Sequence, residues 1–490
     1  MDPLATFLPL WIIFFPMAMT LIIYYVEQFS EKLRNALAVL TSVITFLSVV
    51  ALYPFIMGGD IIEYTLFEII ANLGISIRVD ILSYCLALIA SFVWMLVTIY
   101  SLDYMAHEHA VNRYYPTLIV TLGSCLGIFM AGDLFTLFVF FELMSLISYI
   151  LVVHEESPEA LRAGYKYLIL TIIGGLALFF GIIATFELAG TVSLSVIGMV
   201  TQDTPLAMFA FLSFLIGFGM KAGMFPLHVW LPDAHPVAPS PASALLSGIM
   251  LKTGAYGMFR VIFHVFSVDL MRDTGSTTII AALAIITILL GSAVAITQDD
   301  LKRRLAYSSI GQMGYILLGI AILNEQAMIG TIFHVFSHAI MKSTLFMVAG
   351  AIIVKTGKRS IKELSGIGRE MPYTMMAFTL AALAMIGLPP FNGFLSKWTL
   401  SLGALDAGNP YFVVVLLISS LMNGVYYLPI IIAAFFGDHE KEFTVSEVPI
   451  KMLVPIGILA VCTIIFGLSP VNFPYTLSRM AAMLLLQAGF

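Results

Sequence analysis

Apolar residues run through this chain in long blocks, and polar residues are confined to the short gaps between them. A hydrocarbon layer about 30 Å thick is crossed by about 20 helical residues, and blocks of that length recur from one end of the chain to the other. The pattern predicts an all-α polytopic membrane protein with fourteen spans, at 4–25, 33–57, 79–102, 114–131, 133–153, 162–189, 205–225, 240–264, 277–297, 305–322, 327–353, 371–399, 410–436 and 449–469. Only Gly132-Asp133 divides the fourth from the fifth, and Asn324-Glu325-Gln326 the tenth from the eleventh. The tail 470–490 reads as a short interfacial helix interrupted by Arg479. Met1-Asp2-Pro3 leads directly into an apolar run with no basic stretch or small-residue cleavage site, so the first span is expected to be retained.

Composition agrees with the pattern. Of 490 residues 60% are hydrophobic and 11% charged, too few charges to clothe a soluble protein that also carries 37 Phe and 27 Met. The net charge of -6 names no partner, and nothing resembles a nucleic-acid module. Cys85, Cys125 and Cys462 each stand alone in an apolar run, which excludes a disulfide framework or thiolate metal site and makes them small buried hydrophobes. No hydrophilic stretch is long enough for a catalytic domain, the longest basic loop being the connector Lys355 to Glu370, and the chain has no P-loop or dinucleotide fingerprint.

The loop charges divide unevenly. Loops after even-numbered spans, with the C-terminal tail, hold only Arg78, Arg260, Arg272 and Arg479, whereas the other loop Lys and Arg residues, Lys441 among them, follow odd-numbered spans. This places the odd loops in the cytoplasm and both termini outside a prokaryotic cell membrane.

Ionisable residues inside the spans carry the chemistry, because a charge at mid-membrane needs a partner, a neighbouring helix or a water-filled cavity. Glu142 lies near the centre of the fifth span, where its carboxylate either pins two helices or titrates. Lys221 in the seventh is its natural partner, between Gly219 and Gly223, whose spacing permits close helix approach. Lys166, close to a span end, reads as snorkelling to the headgroups. Lys252 and Lys397 stand alone in the eighth and twelfth spans. His334, His338 and Lys342 recur every four residues and form a stripe about 12 Å long, with Ser337 beside it. Imidazole accepts a proton at one nitrogen and donates from the other, so the stripe suits a proton relay. Internal packing and a metal site are the alternatives, the latter weakened because no carboxylate joins the histidines.

Two spans are interrupted. One break follows Lys221, through Phe225-Pro-Leu-His228-Val-Trp-Leu-Pro-Asp233-Ala-His235-Pro, and the other is Gly387-Leu-Pro-Pro-Phe-Asn-Gly393, ahead of Lys397. Proline frees backbone groups that protein or water must satisfy, a recurring feature of ion sites in membranes. Charges and breaks at comparable places predict two five-helix units in inverted orientation, with broken seventh and twelfth helices. The domains expected are 1–110, 111–265, 266–436 and 437–490.

Gly132-Asp-Leu-Phe-Thr-Leu-Phe-Val-Phe-Phe-Glu142, together with Phe225-Pro-Leu-His-Val-Trp-Leu-Pro-Asp-Ala-His-Pro-Val-Ala-Pro-Ser-Pro-Ala-Ser243-Ala-Leu-Leu-Ser-Gly248, resembles the antiporter-like membrane subunits of respiratory complex I, Mrp sodium/proton antiporters and membrane-bound hydrogenases. The resemblance spans about residues 70–430 and implies a hydrated line of buried charges. It assigns Glu142 as the carboxylate, Lys221 as its partner and Lys252 as the connecting lysine. His334, His338 and Lys342 become the central relay and Lys397 the terminal charge, while His228, Asp233 and His235 either guide protons or secure the break. The length of the chain and Phe-Glu-Leu-Met-Ser at 141–145 resemble the Mrp D-type subunit or its hydrogenase counterpart.

The expected function is proton translocation within a larger complex, coupled to redox chemistry or cation transport by partner subunits. A D-type subunit of a stand-alone Mrp antiporter, or a complex I-like pumping subunit, is the alternative, and a structural scaffold the competing class. No cofactor is expected in this chain, since it lacks the clustered cysteines of Fe-S or NiFe centres, so any such centre belongs to a peripheral redox module. The expected partners are other membrane subunits, protons, sodium and the lipid bilayer.

Overall fold

The computed structural model describes residues 3–70, 73–437, 444–468 and 473–487. Its first helices are α1 (Pro3–Val26), α2 (Glu31–Val50) and the short α3 (Tyr53–Met57). Next comes a hairpin of β1 (Ile62–Ile70) and β2 (Leu73–Val79), antiparallel with Ile62 opposite Val79. The hydropathy pattern treats this stretch as a loop. Two register shifts, between Thr65 and Phe67 and between Glu68 and Ile70, break the alternation that marks a strand.

The first long group of helices is α4 (Ile81–Tyr104), α5 (Val111–Phe129), α6 (Leu134–Val152), α7 (Pro158–Ala189) and α8 (Pro205–Ala222). Side chains one residue ahead of each start explain the boundaries. Asp80 accepts from Ser83 N at 2.9 Å, Asp133 from Thr136 N at 2.7 Å and Ser157 from Ala160 N at 3.1 Å, each satisfying a donor that the first turn leaves open. After α8 come α9 (Leu231–Val237), α10 (Ser240–Leu245) and α11 (Leu251–Arg260), with π-helical turns at Leu246–Met250 and Val261–Val265 flanking α11.

The remaining helices are α12 (Val268–Asp273), α13 (Ser276–Thr297), α14 (Leu301–Ile322), α15 (Glu325–Thr356), α16 (Ile367–Glu370), α17 (Pro372–Ile386), α18 (Asn392–Asp406), α19 (Pro410–Phe436), α20 (Ile450–Leu468) and α21 (Tyr475–Gln487). The protein is thus an all-α, multi-pass membrane protein apart from one hairpin. Among the described residues eleven helices are long and apolar enough to cross a membrane. The difference from fourteen falls at three stretches. Helix α5 is helical but carries Arg113, Thr117, Thr121 and Ser124, 240–264 is divided by the π-turns, and 371–399 is two helices, α17 and α18. The core runs along α4, α14 and α15, the long helices with the largest buried share.

Backbone hydrogen bonds gather the connections into two faces. On one, β2 joins the α5–α6 turn (Arg78 N to Met130 O, 2.9 Å), that turn joins the segment after α7 (Leu194 N to Gly132 O, 2.9 Å), and Val200 N reaches Val265 O at 2.8 Å. On the other, Leu301 N bonds Arg359 O at 3.0 Å and Ile361 N bonds Asp299 O at 2.9 Å. Lys441, part of the basic-loop pattern, and parts of the 470–490 tail lie outside the described residues.

Close helix approach does not use Gly219 and Gly223 as a pair. Gly223 ends α8 in the left-handed region at φ +71°, and a Cβ at Gly219 would meet the Met224 side chain of its own segment. Instead Gly254 lets α11 ride on α8, since a Cβ there would stand 2.5 Å from Phe218 O and 2.7 Å from Ala222 N. We expect Gly254→Leu to destabilise the protein by about 1–3 kcal/mol, as overpacked cores do. Thermal unfolding of the purified protein checks this, and an unchanged melting temperature would contradict the close contact.

Candidate functional site

Lysines reach the interior on helices whose ends or turns offer oxygen acceptors. Lys221 occupies the last turn of α8 and is fully buried. Its ammonium donates to Tyr167 OH on α7 at 2.7 Å and to Ser145 Oγ on α6 at 3.0 Å, and it stands 5.0 Å from the Tyr167 ring centroid. Ser148 shares a hydrogen bond with the same tyrosine at 2.7 Å. Glu142 lies one turn before Ser145 and is half-buried, its Oε1 without a protein hydrogen-bond partner. A Cβ at Gly175 of α7 would fall 2.4 Å from that oxygen, so the glycine makes room for the carboxylate. Glu142 and Lys221 therefore sit in one neighbourhood but do not form the direct ion pair expected, because the lysine is occupied by hydroxyls.

Lys252 and His338 make the central contact. Lys252 Nζ lies 2.7 Å from His338 Nδ1 and 2.6 Å from Ser247 O, with all of these groups buried. The His338 ring stacks on His334 with centroids 6.0 Å apart and planes at 9°. His334 Nδ1 is 2.9 Å from Ser396 Oγ, and its ring stacks on Tyr315 at 5.5 Å. Tyr315 in turn lies 5.1 Å below the Lys397 ammonium. The polar sequence is thus Lys252, His338, His334, then Ser396 or Tyr315, then Lys397. The outer nitrogens His338 Nε2 and His334 Nε2 have no protein partner.

Lys342 leaves this file. Although it continues the four-residue stripe, its ammonium turns to Ser308 Oγ at 2.6 Å, Leu305 O at 3.0 Å and Tyr427 OH at 3.3 Å. It forms a branch toward α14 and α19. Lys397 fills the open end of α17, donating to Met385 O at 2.8 Å, Ile386 O at 3.1 Å and Ser420 Oγ at 3.1 Å. These are carbonyls that the final turn of a helix leaves unpaired.

The segment after α8 divides by residue. Asp233 bonds Lys166 at 2.6 Å and faces Arg303 at 3.5 Å, so Lys166 is ion-paired rather than snorkelling. His228 stacks on Phe225 at 5.9 Å, and His235 is fully buried against Phe346 at 4.6 Å with neither ring nitrogen bonded. Lys302 falls in a loop by the span pattern, but it is buried and closes the end of α9, donating to Ala238 O at 2.5 Å. Tyr167, Ser308 and Tyr427 also escape a reading of the chain. Uncharged hydroxyls give no signal until a lysine is seen to point at them. Of the three cysteines, Cys85 and Cys125 are buried and Cys462 is half-buried.

The family model described as NADH:quinone oxidoreductase/Mrp antiporter, TM, matches residues 131–423, which contain every candidate residue from Glu142 to Lys397. The chain belongs to this family. A second model, NADH-ubiquinone oxidoreductase (complex I) chain 5 N-terminus, matches residues 69–115. The N-type subunit of the NADH-quinone oxidoreductase of Desulforudis audaxviator is 33% identical over 94% of this chain and 95% of its own length. The D-type subunit of the Na(+)/H(+) antiporter of Alkalihalophilus pseudofirmus is also 33% identical, over 81% of each chain. Among solved structures, a chain of the membrane-bound sulfane sulfur reductase, an archaeal respiratory membrane complex, superposes with a TM-score of 0.90 and 25% identity over 98% of both chains. Family members of equal identity thus serve different kinds of complex.

Asp233 is partly exposed and contacts two cations that are themselves partly exposed, Lys166 and Arg303. We expect Asp233→Asn to cost less than about 1 kcal/mol of stability, as for screened pairs, and to leave ion flux within about twofold of wild type. A flux assay beside thermal unfolding checks this. A collapse of flux at normal stability would assign Asp233 to the conduction path.

Proposed function

We propose that the chain is a proton-conducting, antiporter-like subunit of a multisubunit membrane complex. The observation that carries this reading is the 2.7 Å contact of Lys252 with His338, fully buried and continued through His334 toward Lys397. Each ammonium is held by neutral acceptors, so a proton can be handed on without parting an ion pair. Glu142, Lys221 and Lys252 serve the first unit, and His334, His338, Lys342 and Lys397 the second. His228 and His235 line the approach from the broken helix.

The same reading takes the three interrupted stretches as spans, giving fourteen. It divides the chain at 1–110, 111–265, 266–436 and 437–490, with the two middle segments as inverted five-helix units. A local likeness supports this division. Helix α8 ends at Gly223 with φ +71° and α17 at Gly387 with φ +92°, each shortly before a proline, and the freed carbonyls are met by Trp230 Nε1 on Met220 O at 3.0 Å and by Lys397. Such openings are tolerated in a membrane where protein or water satisfies the backbone. In this reading the face with Leu301 and Arg359 is cytoplasmic, and both termini lie outside.

Partners follow from Glu142. Around the carboxylate α6 exposes Val139, Leu143 and Leu146, so Glu142 borders the lateral surface of the chain. A mid-membrane carboxylate at that surface is costly against lipid alone, which supports a neighbouring membrane subunit beside α6 and α7. The relatives named above belong to a quinone-linked oxidoreductase and a Na(+)/H(+) antiporter, and coupling to redox chemistry or to sodium resides in such partner chains.

We expect His338→Gln to lower proton-coupled flux by about a hundredfold, the lower end of what a positioned acid–base group contributes, with normal yield of assembled complex. Lys342→Met should act in the same direction. Proteoliposomes containing the intact complex provide the assay, and normal flux in both variants would refute the relay.

A further inference from the structure

A second polar stripe leaves the central line. Lys252, Tyr256, Arg260 and His264 follow one another at four-residue intervals along α11 and its closing π-turn, and each is buried. The loop-charge count assigns Arg260, near the end of the 240–264 span, to an outer loop, yet it is fully enclosed. Its guanidinium grips Asp80 with both nitrogens, at 2.7 and 2.8 Å, and donates to Tyr256 OH at 2.9 Å and Ser83 Oγ at 2.9 Å. His264 Nε2 lies 3.2 Å from the same group, while His264 Nδ1 has no protein partner. Tyr256 OH donates to Phe129 O at 2.8 Å, at the hairpin end of α5.

The cluster reaches an opening. Asp80 lines a pocket of about 270 Å³ on the hairpin face, bounded by Asp60, Ile61, Met480, Met483 and Leu484. Asp60 is exposed and marks the aqueous side. Arg78, which bonds Glu63 at 2.6 Å, stands 3.6 Å from Asp80 and completes the charged surroundings. From the pocket inward the order is Asp80, Arg260, Tyr256 and Lys252, the last two separated by one helical turn, about 6 Å along the axis. Waters can bridge such a step. The π-turns on both sides of α11 belong to the same segment, and such turns are frequent where a helix serves a site.

We propose that Asp80 and Arg260 form a gate for proton passage between Lys252 and the hairpin-face pocket. With the pair closed, Asp80 has no free oxygen for a proton. When Arg260 withdraws, the carboxylate accepts a proton arriving past Tyr256 and releases it to pocket water, after which the pair closes again. The reverse sequence serves entry. One proton moves, and only O–H and N–H bonds form and break. This passage rests on the central line proposed above.

Removing either partner of a buried pair strands the other, so the test spares both. Leu484→Cys, in the intact complex in proteoliposomes, is treated with a bulky, membrane-impermeant thiol reagent from the hairpin face. Tyr256→Phe and His338→Gln are assayed in parallel, and wild type with the same reagent is the control. Labelled Leu484→Cys is compared with the same variant unlabelled. Labelling it, or replacing Tyr256 by Phe, should lower flux at least about tenfold, a loss that corresponds to about 1.4 kcal/mol in the barrier. If His338→Gln is blocked while labelled Leu484→Cys or Tyr256→Phe conducts normally, or if the cysteine does not react from that face, the passage is refuted and the central line stands. If His338→Gln itself conducts normally, the central line fails and the passage with it.

Discussion

Everything in the interior of this protein answers to the problem of holding ammonium groups away from water without carboxylates. Lys221, Lys252, Lys342 and Lys397 are buried, and among the described residues none has a carboxylate oxygen within 4.0 Å. Neutral oxygens and one imidazole take their place: Tyr167 and Ser145, Ser247 O and His338, Ser308 and Leu305 O, Met385 O and Ile386 O. An unpaired charge at this depth costs several kcal/mol even on lenient scales, so these acceptors are a condition of the fold as much as of its chemistry.

Carbonyls in the middle of a helix are already committed to the next turn, so apart from Leu305 O within α14, which Lys342 shares, such oxygens come from elsewhere. The chain obtains them by ending helices inside the bundle or by widening them. Helix α17 stops at Gly387 and yields two carbonyls to Lys397, α9 stops at Val237 and yields Ala238 O to Lys302, and the π-turn before α11 yields Ser247 O to Lys252. Glycines then bring the carriers together, Gly254 seating α11 on α8 and Gly175 admitting Glu142 beside α7. Disrupted helices, close packing and buried bases are one device. The Asp80–Arg260 pair is the exception, a true buried ion pair, and it lies where the interior approaches the hairpin face.

Ionisable residues in apolar blocks are visible without a structure, which is why Glu142, the four lysines and the His334–His338 stripe can be named from the chain alone. The proline-rich breaks are visible for the same kind of reason, since Pro226 and Pro389-Pro390 cannot continue a regular span. What the chain conceals are partnerships across long separations. Lys252 and His338 are 86 residues apart and Arg260 and Asp80 are 180 apart. Spacing along α15 makes Lys342 the next step after His338, whereas rotamer and neighbours turn it toward Ser308. Arg260 and Lys302 read as loop residues because hydropathy locates span ends only within a few residues, and a shift of one turn separates a solvated cation from a buried one. The hairpin is hidden by its own bulges.

The claim that the buried bases act as one conducting line depends most on Lys252 and His338, the two groups that meet at its centre. Proton flux should be measured in proteoliposomes of the intact complex for Lys252→Met, His338→Gln and the double variant, each normalised to assembled protein. Residues that serve one step lose it once, so the double variant should conduct no more slowly than the slower single variant. Losses that multiply would show that the two side chains act independently and would contradict a single line through the 2.7 Å contact.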